Sequence, residues 1–414
     1  MVSVHACPLG RLGSKETGGM NVYVRELAGE LGRAGLDVDI FTRRTDPADP
    51  PVVEMAPGVR LVRIDAGEVG PMDKNVVYDH LPRFVAEVER YRRDAGREYD
   101  VVHSHYWLSA WTGTRLARRW GVPHLTMFHT LGEVKNRCGA PGRESDNRIA
   151  VERRAVAEVD RIIAASEDER QHLVELYGAD PCRVSIVPCG VNTRLFRPVP
   201  PAEARARLGL EGQRAMLFVG RMDPLKGLDL LLEAMHQLRE ELPNLQLLVV
   251  GGDASPESEE GRVRDLAREL GLAERVRFVG AVPQRALVDY YNAADVCVVP
   301  SFYESFGLVA VEALACGTPV IASRVGGLPG VVKHGENGLL VSRRTAEDFA
   351  ASIGELYRDE SRRAALAARA RDSVAPLVWE AVARRIRGIY HQLLAREEVE
   401  RARPLVAGVC ACRQ

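Results

Sequence analysis

Short runs rich in Val, Ile and Leu alternate with longer segments of helical periodicity along nearly the whole chain, and this alternation limits the fold more than any other feature. A strand that is followed by a helix usually rejoins its sheet in parallel, so the pattern predicts α/β layers built on parallel sheets. In the first half, strands are expected at Val2–Ala6, Val38–Thr42, Val59–Ile64, Val101–Ser104, His124–Phe128, Arg161–Ala165 and Val184–Val187. Asn21–Arg33, Leu81–Arg93 and Ser109–Trp120 carry apolar residues at helical spacing. The Pro-rich, aperiodic stretch Arg194–Glu203 then reads as a linker. Beyond it, strands are expected at Ala215–Val219, Leu245–Val250, Val276–Val279, Val296–Pro300, Pro319–Ala322 and Gly338–Val341. Helices fall near 226–240, 258–271, 284–293, 307–316 and 345–357, and the chain from Glu347 to about Glu400 is helical and rich in Ala and Arg. Two doubly wound domains in tandem place a ligand cleft between them.

The 414 residues are enough for two to three domains, and 56 basic residues against 57 acidic ones leave a net charge of −1. That balance argues against a dedicated nucleic-acid binder. No apolar run reaches the ~18–20 residues of a spanning helix. The opening run Met1–Ala6 has no basic region before it, so a secretory leader is not expected and a cytoplasmic, soluble protein is. Eight scattered cysteines make no disulfide framework. Their closest pairs, Cys182/Cys189 and Cys410/Cys412, lack the spacing of a zinc site, while Cys297 and Cys316 read as small core residues. Only five basic residues are lysine: Lys15, Lys74, Lys135, Lys226 and Lys333. A chain that otherwise uses Arg keeps Lys where a compact ammonium suits a site, or by mutational bias alone.

Three segments stand out chemically. Gly18 and Gly19 open a helix, where free N–H groups favour an anion, although the pair reads equally as a plain loop before a glycine-started helix. Val219-Gly220-Arg221 with Lys226 five residues on puts two cations at a strand's C-terminal edge, suited to a diphosphate or to solvent. In Glu304-Ser-Phe306-Gly307-Leu308 followed by Glu312, one carboxylate follows a strand and the other lies on an apolar helix. A buried carboxylate needs partners, and sugar hydroxyls are suitable ones; a helix-capping Glu with a structural ion pair is the alternative. The amides of Phe306, Gly307 and Leu308 add a second anion site at a helix start.

Taken together, G-G-M-N-V-Y, G-R-x4-K-G, E-x7-E, G-T-P-V-I-A and G-G-L-P resemble the retaining glycosyltransferases of family 4, from His5 to about Tyr390. The resemblance implies the GT-B fold: an acceptor-binding Rossmann-like domain over 1–193, a nucleotide-sugar-binding one over 194–375, and over 376–414 a helix returning to the first domain plus a tail. It implies that Gly19 contacts the diphosphate or donor sugar, Arg221 and Lys226 neutralise the diphosphate, Glu304 holds sugar hydroxyls and Glu312 binds ribose. His129, in a Phe-His-Thr turn, would lie beside the donor sugar. No cofactor is implied, and Mg²⁺ is admissible without being catalytic.

His103-Ser-His105-Tyr106-Trp107, His129-Thr130-Leu131, Val134-Lys135-Asn136 and Glu144–Arg148 resemble one branch of that family more closely. That branch moves N-acetylglucosamine from its UDP carrier to 1D-myo-inositol 3-phosphate in mycothiol assembly, and its members form homodimers. It implies that Lys74, Tyr106, Thr130 and Arg148 hold the acceptor phosphate, with Asn21 nearby; two cations and two hydroxyls make a compact anion clamp. The resemblance is imperfect at Lys15-Glu16-Thr17, where an acidic-Thr-Gly-Gly run is similar to sucrose-phosphate synthases, and Cys7 shares the loop. Transfer of glucose from UDP-glucose to fructose 6-phosphate, or to another phosphorylated polyol, is therefore the second reading. A non-catalytic nucleotide-sugar binder and an epimerase are others that the fold accommodates.

Overall fold

The computed structural model describes residues 1–10, 18–139, 142–252 and 259–402, with side chains as far as 396. Lys15, Glu16, Thr17, Cys410 and Cys412 lie outside the described residues. Among the described residues, no helix is long and apolar enough to cross a membrane.

In the first domain, Val52–Ala56, Val59–Ile64 and Val38–Arg43 form one side of a sheet, and Val102–His105, His124–Met127, Arg161–Ala164 and Val184–Ile186 form the other. Val2 joins the two halves, bridging Phe41 on one flank and Ser104 on the other. The expected strand Val2–Ala6 thus contracts to one bridging residue, although backbone bonds still run from Met1 to Val4 on Phe41, Arg43, His103 and His105. Val52–Ala56 pairs antiparallel with Val59–Ile64 and was not expected; it is partly exposed and lacks a run of buried apolar residues. The remaining pairs of this sheet are parallel.

The second domain has a six-stranded parallel sheet in the order Val276–Gly280, Leu245–Val250, Arg214–Val219, Val296–Val299, Val320–Ser323 and Gly338–Val341. Both sheets therefore follow the doubly wound order. Their topological switch points lie between Val2 and Val102–His105, and between Arg214–Val219 and Val296–Val299. The expected linker is shorter than its reading, since Pro201–Leu208 is a helix with Pro at its first turn, where a missing N–H costs nothing.

The long C-terminal reading resolves into Ala346–Arg358, Glu360–Ser373 and Trp379–Ala402. The last of these returns to the first domain. Trp379 meets Tyr23 edge to face with ring centroids 5.4 Å apart. The Tyr390 hydroxyl lies 2.8 Å from His103 Nδ1, and Arg385 donates to the Ile186 carbonyl. One apolar cluster runs from Val22 and Leu27 through Ala310 and Leu314 to Ile386 and Leu393, so the cleft is backed by a continuous core.

Candidate active site

Ligands of doubly wound sheets bind beyond the strand ends at the switch point. Here the two switch points open on one cavity of about 430 Å³, lined by His5, Ala6 and Tyr106 from the first domain and by Gly220, Arg221 and Ser301 from the second. Gly19, Asn21, Lys74, His129, Thr130, Lys226, Glu304, Phe306, Gly307, Leu308 and Glu312 also line it. Of the residues that the resemblance gives a ligand contact, Arg148 is the one that is not part of the wall.

On the second domain, Lys226 Nζ lies 2.6 Å from Glu304 Oε2. The turn that carries Lys226 is pinned by Gly227, at φ +71°, where a Cβ would come within 2.2 Å of the Pro300 carbonyl. Arg221 lies near Asp223, 3.7 Å away. Gly307, at φ +100°, starts the helix Leu308–Ala315 against Leu328, so the left-handed turn there favours glycine. Glu312 is buried on that helix, where Tyr291 Oη donates to Oε2 at 2.8 Å and Gln284 Nε2 to Oε1 at 3.3 Å. Burial pushes its pKa up to about 7, against the pull of those two hydrogen bonds.

On the first domain, His129 follows the strand His124–Met127 with a left-handed backbone, φ +63°. Its Nε2 sits 3.2 Å from His105 Nδ1, and its ring meets Tyr23 edge to face. Burial drops its pKa to about 3, so it is neutral at physiological pH. The Tyr106 ring lies between two cations, Lys74 Nζ at 5.5 Å and the Arg148 guanidinium at 4.8 Å. Burial, and then the nearby Arg148, lower the Lys74 pKa.

Arg148 is where the expected clamp departs from the structure. Its guanidinium is 2% exposed and is held by Glu152 at 2.7 Å, Glu144 at 2.9 Å, and the Thr130 carbonyl and hydroxyl at 2.9 and 3.1 Å. It sits behind Thr130, its donors engaged by protein. Asn21 lines the cavity, but its side chain serves its own loop: Oδ1 accepts from the Gly18 amide and Nδ2 donates to the Cys7 carbonyl.

The sequence reading gave several wall residues no role. Lys135, noted as a rare lysine and within a motif, lines the cavity in contact with Glu144. His5, Gln284, Tyr303 and Ser305 also line it, and the first-domain partners of Gln284 and Ser305 lie too far along the chain for spacing to reveal them. Gln284, for example, accepts from Arg25 at 2.7 Å across the cleft. Among the described residues no cluster of His, Cys, Asp or Glu could hold a metal ion.

Comparison with known proteins agrees with this geometry. Residues 17–195 match the model for Glycosyltransferase Family 4, and residues 202–373 match that for Glycosyl transferases group 1. A D-inositol 3-phosphate glycosyltransferase from Thermobispora bispora is 44% identical over 98% of this chain and 96% of its own. One of the same name from Rhodococcus jostii is 45% identical over 92% of this chain and 86% of its own. Among solved structures, the sucrose-phosphate synthase from Thermosynechococcus elongatus superimposes with a TM-score of 0.89 at 40% identity, covering 95% of this chain and 98% of that one. Two facing doubly wound sheets, a cleft at both switch points and full-length relatives at this identity lead to one assignment: the chain belongs to the family 4, group 1 glycosyltransferases of the GT-B fold.

Proposed function

We propose that the chain transfers N-acetylglucosamine from UDP-GlcNAc to 1D-myo-inositol 3-phosphate with retention of anomeric configuration. The observation that carries this is one cavity shared by Arg221, Lys226, Glu304 and Glu312 of the second domain and Lys74, Tyr106, Thr130 and Lys135 of the first. A dianionic donor and a phosphorylated acceptor need that charge on both walls. The names of the full-length relatives support the inositol phosphate acceptor.

In this proposal Arg221 and Lys226 neutralise the diphosphate, with the amides of Gly19, Phe306, Gly307 and Leu308 beside it. Glu304 accepts donor-sugar hydroxyls while Lys226 steadies its other side, and Glu312 accepts from the ribose. Neutral His129 contributes a hydrogen bond to the donor sugar. Lys74, Tyr106 and Thr130 hold the acceptor phosphate, and Arg148 adds its charge through Thr130. Asn21 shapes the glycine turn between the two ligands.

Among the described residues, the cavity's carboxylates support front-face transfer. Asp223 accepts from the Leu225 amide, Glu304 pairs with Lys226, and Glu312 is bonded to Tyr291 and Gln284. None of them is left as an uncommitted nucleophile for a double displacement. The bond from the anomeric carbon to the diphosphate breaks as the acceptor hydroxyl attacks from the same face, and the departing phosphate oxygen takes the hydroxyl proton. Expulsion of water by closure favours transfer over hydrolysis. A homodimer belongs to the same proposal, and sedimentation would check it.

A specific observation favours a second reading. The likeness to a sucrose-phosphate synthase spans nearly the whole chain at 40% identity. UDP release should be measured from UDP-GlcNAc and UDP-glucose, each with inositol 3-phosphate, fructose 6-phosphate or no acceptor. Turnover only with UDP-GlcNAc and inositol 3-phosphate is the expected result. Turnover with UDP-glucose and fructose 6-phosphate would replace it, and conversion without acceptor would point to an epimerase or hydrolase.

A further inference from the structure

The segment between the strand Val296–Val299 and the helix Leu308–Ala315 carries Glu304, and the residues on either side of it reach across the cleft. Ser305 Oγ lies 2.5 Å from the carbonyl of His129. The same oxygen lies 3.2 Å from the Tyr303 hydroxyl. Tyr303 packs on the first domain, against the apolar cluster that contains Phe128, Leu131 and Val134.

One proton arrangement satisfies all of these contacts. A carbonyl only accepts, so Ser305 must direct its single proton to His129. Ser305 Oγ therefore accepts from the Tyr303 hydroxyl. The result is a one-way chain from Tyr303 through Ser305 to His129. Its final acceptor lies on a turn of the first domain and both hydroxyls on the donor loop of the second. Hydrogen bonds in such a chain polarise one another and strengthen together.

His129 needs support of this kind. Its backbone lies in the left-handed region, where residues with a side chain are uncommon and persist only when their surroundings over-determine them. The His105 contact fixes the imidazole from inside the first domain. The Ser305 bond fixes the following peptide plane from the other side of the cleft.

We propose that Tyr303 and Ser305 are positioning residues that transmit the seating of the Glu304 loop to His129. The loop that receives the donor sugar thereby sets, through its two flanking hydroxyls, the backbone that presents the imidazole. This rests on Glu304 and His129 being donor-sugar contacts. It assigns no substrate contact to Tyr303 or Ser305, so their loss acts on the reacting geometry and leaves nucleotide binding intact.

The test uses Ser305→Ala, Ser305→Thr, Tyr303→Phe and the Tyr303→Phe/Ser305→Ala double variant in the full chain, with two readouts. The first is UDP affinity by calorimetry beside kcat on whichever donor and acceptor pair the unmodified protein turns over. Ser305→Ala should keep the UDP Kd within twofold and lower kcat at least tenfold, and Ser305→Thr should recover kcat to within threefold. Tyr303→Phe should cost less than Ser305→Ala, and the double variant less than the product of the two, because both break one chain. The second readout is amide hydrogen exchange over 128–132 in the UDP-bound protein, which should quicken at least tenfold in Ser305→Ala.

That second arm needs no acceptor, so it judges the latch even if the unmodified protein turns over none of the pairs and the proposed function falls. Unchanged exchange over 128–132 would overturn the latch. So would a kcat within twofold of the unmodified value, or a UDP Kd that weakens in step with kcat.

Discussion

On the proposed assignment of Glu312 to the nucleotide ribose, one side chain makes nucleotide binding depend on pH. Burial raises its pKa to about 7, while Tyr291 and Gln284 pull the other way. Ribose hydroxyls donate best to the ionised form, so binding is strongest above pH 7 and weakens as the pH falls through it. One linked proton predicts that UDP affinity falls about tenfold between pH 8 and pH 6. Glu312→Gln should bind UDP weakly and without that component, which separates it from the titration of UDP itself. A second prediction separates two cations that sequence reasoning grouped as one clamp. Arg148 is buried against Glu152, itself fully buried, so Arg148→Ala leaves that carboxylate with the Gly132 and Tyr177 hydrogen bonds but no paired cation, and should destabilise the fold by about 3 kcal/mol. Lys74→Ala, on the cavity wall, should raise the acceptor KM with little change in Tm. Thermal melts beside steady-state kinetics would distinguish the two. Equal effects of both variants on KM, with no change in Tm, would restore the four-residue clamp.

Elements explain which parts of the fold were legible in the sequence. The innermost strand of the second domain was, because strands buried on both faces read as continuous apolar runs: Val296–Val299 is apolar and buried throughout. Val52–Ala56 escaped notice because an edge strand with one exposed flank carries no such run. The helix Asp146–Glu158 was hard to read for the opposite reason. It buries Arg148 and Glu152 beside Ile149 and Val156, which blurs the apolar stripe that marks a helix. The second-domain wall residues were legible because they sit in short local motifs. Ser305 was not, since its partner His129 lies 176 residues away. A glycine packed against the loop that carries Glu304 gives a prediction at this scale. A Cβ on Gly326, at φ +53°, would lie 1.8 Å from the Glu304 carbonyl, so Gly326→Ala must displace the loop that carries Glu304. It should cost at least about 2 kcal/mol of stability and lower kcat at least about tenfold. Gly335, at φ +78° with open space around it, is the control, and Gly335→Ala should cost only about 1 kcal/mol from backbone strain.

At the scale of the whole molecule, the wall of the cleft that carries Glu312 is joined to the first domain by a polar chain separate from the apolar core. Arg25, on the helix Gly19–Arg33, donates to Gln284 Oε1 at 2.7 Å, and Gln284 Nε2 donates to Glu312 at 3.3 Å. Gln284 can serve both because its amide offers an acceptor to the first domain and a donor to the carboxylate at once. The arrangement fixes the orientation of the amide: an arginine can only donate, so the oxygen must face Arg25 and the nitrogen Glu312. Closure of the domains therefore sets the group that steadies the Glu312 carboxylate, and a nucleotide that binds Glu312 should favour closure in return. Arg25 does not line the cavity, so Arg25→Ala removes no direct ligand contact. It should nonetheless weaken UDP binding about three- to tenfold, the net value of roughly one ordinary hydrogen bond. Gln284→Ala should weaken it similarly. The double variant should be little worse than either, because both variants break the same path. Calorimetric titration of UDP into the four proteins would close the cycle. Additive losses would mean that Arg25 and Gln284 act separately, and an unchanged Kd in Arg25→Ala would mean that domain contact does not reach the nucleotide through this chain.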